Sequence, residues 1–340
     1  MQKDGTLFLN FRRVSMKKIS IITPSFNQGQ FIEQTIDSVL SQNYPHLEYI
    51  IMDGGSTDNS VEIIKKYEKH LTYWKSEKDK GQSDAINKGL KIASGDIINW
   101  LNSDDFYEPN ALHTINHYFE EDNVFVLAGR SNILKANHIQ VSGGTAIYET
   151  LEKTIGQARI DQPETFFRKS CIDQMGGLHP QFHFVMDKEW WIRYVLHFGL
   201  HSIKKTEAVL VNFRIHDQSK TSEHQVKFRA ETYCLYYTLA KMHQLPEVSI
   251  FEDLYKVSFI ENMHPIYKQH REIIQKSIHY FFFQEACIAY AQNNYEKAKK
   301  IMSLIRQEFL LPSDQKEWQK INFRMKLIPP FIKKIWNQHG

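Results

Sequence analysis

The residues best suited to chemistry are Asn102, Ser103, Asp104 and Asp105, which close the stretch GDIINWLNSDDFY from Gly95 to Tyr107. Ile97 to Leu101 reads as a buried strand that runs straight into two adjacent carboxylates. Such charge is costly unless a cation or hydrogen-bond donors meet it. A divalent metal would meet it, since carboxylate oxygens and water are its preferred ligands. An Asx turn capping the next helix would use the same residues. A second cluster, Asp53 to Asp58 (DGGSTD), has a carboxylate at a strand end and glycines that allow close backbone approach. The helix N-terminus after it favours a negative ligand. A third polar run covers Thr23 to Asn27, and Asp84, Asn87 and Lys88 share one helix face by i, i+3, i+4 spacing.

The elements that must position these groups alternate. Ile19–Ile22 is a β-branched run stopped by Pro24. Residues 29–42 have helical spacing, Leu47–Met52 is a second strand, and a helix follows from Asn59 to His70. A third strand covers Leu71–Ser76, then a helix after Gln82, then the strand that opens this section. Such alternation predicts a mostly parallel sheet flanked by helices. Ligands of these sheets bind at the carboxyl ends of the strands. Thr23–Asn27, Asp53–Asp58 and Asn102–Asp105 all fall at such ends, which favours one shared site over three separate turns. No G-x-G-x-x-G is present, so a dinucleotide site is disfavoured.

Further on, the pattern predicts a helix over 108–120, a strand over 124–128, and a hairpin with a short helix within 131–160. An extended segment over 162–167 follows, then helices at Lys169–Met175 and from the His183 region to Phe198. Asp187 falls in the first turn of the latter. Residues 202–214 are strand-like and end at Arg214-Ile215-His216-Asp217. From about Ser222 the chain is helical and rich in aromatics. Ala286, Ala289, Tyr290, Asn294, Tyr295 and Ala298 resemble one tetratricopeptide-type helix pair, a pattern that plain helix packing also gives.

Bulk properties narrow the classes. The 340 residues are 42% apolar and 24% charged with net charge +3, ordinary for a soluble globular protein and no call for a nucleic-acid partner. Cys171, Cys234 and Cys287 form no CxxC pair, which suggests free thiols in the cytoplasm and no zinc site. No apolar stretch is long enough to span a membrane, and the N-terminus lacks a secretory signal pattern. Residues 1–16 read as a loose leader, and Met16 could serve as an alternative start. In the tail, Lys316, Lys320, Arg324, Lys326, Lys333 and Lys334 are interspersed with Phe323, Met325, Leu327, Phe331 and Trp336. Such a basic amphipathic segment suits peripheral contact with the inner face of an anionic membrane, or docking on the protein's own core.

Six motifs in order, SIITPSFNQ, MDGGSTDNS, DKGQSDAINKG, GDIINWLNSDD, QPETFF and MDKEWWIR, resemble the family 2 glycosyltransferases over about Lys17 to Lys220. The resemblance implies a GT-A fold, an α/β Rossmann-like sheet, with a C-terminal α-helical extension here. It places the glycosyltransferase domain at 17–221, with a nucleotide-sugar half at 17–107 and an acceptor half at 108–221, and the extension at 222–340. It implies a nucleotide-diphosphate-sugar donor, a glycan or lipid-linked acceptor of cell-surface polysaccharide synthesis, a divalent metal (Mn2+ or Mg2+), and inversion at the anomeric carbon.

By the same resemblance Thr23, Pro24, Ser25 and Asn27 line the nucleoside and Asp53 accepts a hydrogen bond from the base, with uracil suiting it. Gly81, Asp84 and Lys88 lie near the ribose and diphosphate. Asn102-Ser103-Asp104 stands where the family has a D-x-D motif. With asparagine first, Asn102 and Ser103 fall to the donor and Asp104 becomes the principal metal ligand. His216 is a second metal ligand, and Arg214 could clamp the diphosphate. Asp187 resembles the general base. Gln162, Glu164, Trp190 and Trp191 border the acceptor. Two alternatives stand beside this reading: an inactive nucleotide-sugar-binding protein, prompted by Asn102, and a sugar nucleotidyltransferase, against which stands the lack of a Gly-rich, Arg-containing loop after the first strand.

Overall fold

The computed structural model describes residues 16–135, 138–216, 220 and 224–327. Residues 1–15 of the expected leader and the tail beyond Leu327, including Lys333, Lys334 and Trp336, lie outside the described residues. Four parallel strands form the first half of the sheet: β1 (Ile19–Ser25), β2 (Leu47–Asp53), β3 (Tyr73–Ser76) and β4 (Ile97–Trp100), in the order β3-β2-β1-β4. Helices α1 (Ile32–Leu40), α2 (Ser60–Lys66) and α3 (Gln82–Ile92) connect them. β5 (Phe106–Tyr107), α4 (Ala111–Tyr118), β6 (Val126–Lys135), β7 (His138–Val141), α5 (Leu151–Gly156), β8 (Thr165–Arg168), α6 (Lys169–Met175), α7 (Met186–Phe198) and β9 (Ile203–Ile215) follow. β8 pairs antiparallel with β4 and β6, β9 runs parallel to β6, and β5 returns antiparallel against β9. The fold is thus α/β, a mostly parallel curled sheet flanked by helices, followed by α8 (Gln225–Met242), α9 (Glu247–Leu254), α10 (Arg271–Ala291), α11 (Tyr295–Ser303) and α12 (Pro312–Leu327).

β1 and β2 read as unbroken apolar runs because both of their faces are covered. Ile21 and Ile51 point into one apolar cluster with Leu112 and Phe166. Their neighbours Ile22, Ile50 and Met52 point into the other, which runs through Trp100 and Trp190 to Phe281 and Met325. One core therefore joins the sheet to the C-terminal helices. Gly156 on α5 permits a close approach of α10: a Cβ there would lie 2.2 Å from the Ser277 carbonyl oxygen. α12 lays Ile321 and Met325 into this core and turns Phe323 outward. Among the described residues no helix is long and apolar enough to cross a membrane.

Two boundaries differ from expectation for local reasons. α1 starts at Ile32 rather than at Gly29 because the preceding amides are taken elsewhere: Gln28 N donates to Ser60 Oγ and Gly29 N to Asp58 Oδ2. β6 runs on to Lys135, beyond the expected Ala128, because β9 and β7 both give it hydrogen-bond partners there.

Candidate functional site

The loops after β1 and β2 are laced together at the carboxyl ends of their strands. Asn27, in the left-handed region at φ 53°, accepts Thr57 N at 2.8 Å and gives its own amide to Ser56 Oγ. Thr23 and Pro24 are buried, Thr23 Oγ1 lying 3.2 Å from the Tyr49 hydroxyl. They lie beneath the loop that follows β1. Ser25 Oγ is buried with no hydrogen-bond partner among the described residues, an unmet polar atom at the strand end. Asp53 is held by its own loop. It is buried and its carboxylate accepts from Gly55 N, Ser56 N, Ser56 Oγ and Ser76 Oγ at 2.5–3.1 Å, so it organises its own loop.

α3 begins at Gly81, whose φ of +108° suits glycine alone. Lys88 does not stand free for phosphate: its ammonium lies 3.1 Å from Glu77 and 3.2 Å from Asp84. Asp84 in turn accepts Lys80 N at 3.2 Å. Asn87 leaves the shared face altogether and holds Leu178 N and O through its side chain.

The β4 end is built as a supported turn. Thr35 Oγ1 donates to the carbonyls of Ser103 and Asp105. Asp105 is fully buried and accepts Arg214 N at 3.0 Å, while burial and the neighbouring Asp104 push its carboxyl well above the usual carboxylate range. Arg214 is already engaged within the turn. Its guanidinium donates to the Asp104 carbonyl and to Gln34 Oε1, and lies over the Phe106 and Phe31 rings at 4.5 and 5.2 Å. It is the brace of the turn. Asp104 stays partly open, and His216 Nε2 lies 3.1 Å from its Oδ2, so the two expected metal ligands do meet. No three His, Cys, Asp or Glu residues are grouped for a metal among the described residues.

Asp187 lies in the first turn of α7, where burial pushes its carboxyl up to about 6 against the opposing Lys188 amide at 2.8 Å. Trp190 and Trp191 are both fully buried and correct the acceptor-wall expectation: Trp190 packs on Trp100 and Phe167, Trp191 on Tyr194. Glu164 is likewise interior, accepting from Ser131 and Ser142 hydroxyls, and burial pushes its carboxyl up to about 8. Gln162 holds the Trp100 carbonyl at 2.6 Å and thereby the end of β4.

Three residues escaped the sequence reading. Gln82 donates to Asn102 Oδ1 and accepts Lys220 Nζ, both at 2.7 Å. Lys220 also reaches the His183 carbonyl at 3.3 Å, and Asp187, Asp104, Asp79 and Glu231 all act electrostatically on its ammonium. One lysine thus ties the β4 turn to the segment that leads into α7. Glu231 on α8 accepts the amides of His183, Phe184 and Val185 at 2.7–3.1 Å, capping that segment. Gln82 sat inside a motif; the other two carry no local signal.

The Glycosyl transferase family 2 model matches residues 20–173, which hold the strand-end clusters. Residues 20–173 thus match a glycosyltransferase family 2 domain. The glycosyltransferase is 29% identical over 187 residues to an uncharacterized glycosyltransferase of Mycobacterium tuberculosis, covering 54% of this chain and 70% of that one. It is 34% identical over 123 residues to the poly(ribitol-phosphate) beta-N-acetylglucosaminyltransferase TarP of Staphylococcus aureus, covering 35% of this chain and 38% of TarP. Among solved structures it resembles S. aureus TarS 1–349 in complex with UDP-GlcNAc, with TM-score 0.60 and 14% identity over 94% of this chain and 92% of that one. That likeness is one of fold and extends through the C-terminal helices.

Proposed function

We propose that the glycosyltransferase moves a sugar from a nucleoside-diphosphate donor, UDP-linked, to a hydroxyl of a glycan or lipid-linked acceptor in cell-surface glycan synthesis, with inversion. The carrying observation is the Lys220 junction, which bonds to Gln82 and the His183 carbonyl while Asp187 and Asp104 both act electrostatically on its ammonium. The name of TarP and the donor in the TarS complex support the class of acceptor and donor.

In this reading the donor lies over the ends of β1, β2 and β4, with Ser25 Oγ as an open partner. The Asp104 carboxylate and His216 imidazole fit a divalent metal, because two protein ligands leave positions for diphosphate oxygens. When bound, that ion would neutralise charge on the leaving diphosphate. Asp187 accepts the proton of the attacking acceptor hydroxyl, and Glu231 and Lys220 hold the segment that aims it. A well-placed base of this kind contributes about 10²–10⁴-fold.

Nucleoside diphosphate release from a panel of nucleotide sugars, with manganese or with EDTA, tests this. Release that Asp104→Ala abolishes and EDTA suppresses is expected; pyrophosphate release, or full activity in EDTA, would overturn it. Three free cysteines support a cytoplasmic location. Peripheral membrane contact through the basic tail belongs to the same proposal. Its measure is liposome flotation of the full chain against one ending at Leu310, and equal flotation rejects it.

A further inference from the structure

Beside the base lies a concave space that the transfer reaction, as described, does not use. A cavity of about 210 Å³ opens between α5, α7, α8 and α10, with Lys188, Arg229, Thr232, Tyr233, Tyr236 and Phe281 in its lining. Its two cations differ. Arg229 is matched, donating to Glu285 at 2.9 Å and to the Tyr233 hydroxyl at 3.0 Å. Lys188 Nζ has the Thr232 hydroxyl at 3.5 Å and forms no ion pair among the described residues. Asp187 and Glu285 act on the Lys188 ammonium without touching it. A cation with no contact counter-ion leaves room for a ligand anion to pair with it directly.

The other walls are aromatic. Tyr236 and Phe281 stack with centroids 4.3 Å apart, and Tyr233 meets Phe281 edge-on at 6.1 Å. Tyr236 and Phe281 are themselves buried, so the open wall is the partly exposed Tyr233; an aromatic wall beside a convergent charge suits a sugar ring that carries an acidic group. Lys188 directly follows Asp187 in the first turn of α7, so the cavity adjoins the helix turn that carries the proposed base.

We propose that this cavity is an acceptor subsite for a sugar unit bearing a carboxylate or phosphate, selected by Lys188. The assignment rests on the reading of Asp187 as the base of a glycosyltransferase. It makes the acceptor an acidic glycan.

Titration calorimetry on the full chain with methyl β-glucoside, methyl β-glucuronide and glucose 6-phosphate tests it. At least one acidic probe is expected to bind about tenfold or more tighter than the neutral one, the size of one charge-assisted contact. The tighter acidic probe names the oxyacid. Lys188→Met should erase the preference and Lys188→Arg should keep it. Equal affinity for all three probes, no measurable binding of either acidic probe, or a preference that survives Lys188→Met would overturn the proposal. If Lys188→Met fails to fold, the wild-type comparison and Lys188→Arg still decide it. UDP release from UDP-sugars in the same samples separates the two readings. Acid preference without donor turnover leaves the subsite standing and removes the transferase mechanism; turnover without acid preference does the reverse.

Discussion

Asp187 and Glu164 are both carboxyls raised by burial, and they behave differently because only one faces the site. Asp187 must be ionised to act, so the transfer rate should climb as pH passes about 6 and then level off. Asp187→Asn should bind donor normally, lose at least about 10²-fold in turnover, and show no such limb. A wild-type rate that is flat from pH 5 to 8 would sink the base assignment. Glu164 binds its proton more tightly folded than unfolded, so stability is fullest below the ordinary glutamate range. It declines as pH rises from there through about 8. Glu164→Gln, neutral at every pH, should flatten that decline in thermal melts between pH 5 and 8. An unchanged slope would place the proton elsewhere. At this scale the sequence showed residue types at strand ends but not their commitments. Arg214 read as a phosphate clamp because its partners, Gln34 and the Asp104 carbonyl, lie more than a hundred residues away in the chain.

The elements were easier to read than the contacts. β1, β2 and β4 are buried on both faces, so composition alone marked them and their polar ends. α7 misled for the related reason that it is buried nearly all round: Trp190, Trp191 and Tyr194 are all interior, so no polar face marked the aromatics as core. Glu231 was invisible because capping of the α7 entry comes from α8 and not from a neighbouring residue. Glu231→Ala removes the acceptor of three amides and should lower kcat by about tenfold or more with little change in donor KM. Glu231→Gln keeps an acceptor oxygen and should recover most of that loss in steady-state assays at saturating donor. Equal losses in both variants would reject a positioning role.

On the scale of the whole molecule, the proposed boundary at residue 221 divides the chain without dividing its core. Tyr236, Tyr267, Phe281 and Phe282 are buried in the cluster that also holds Ile22 and Trp100. Tyr267 also donates to Glu189, whose carboxylate pairs with Arg193 at 2.8 Å inside the protein. Each large apolar side chain stripped of its partners forfeits about 1.5–3 kcal/mol, and an ion pair left half-exposed adds to that. A chain ending at residue 221 should therefore aggregate or melt without a cooperative transition. A monomeric fragment with a sharp calorimetric transition would show the sheet to be self-sufficient.

Glu231 has one more consequence, and it concerns the order in which the protein comes into being. Its carboxylate caps the segment leading to Asp187 but is translated after it, by roughly 2–9 s at ordinary synthesis rates of about 5–20 residues per second. Met325, which closes the same core, emerges later still. A nascent chain thus carries the residues of its strand-end loops before the cap on the proposed base. A chain terminated before Glu231 would lack that cap and the helices that complete the core.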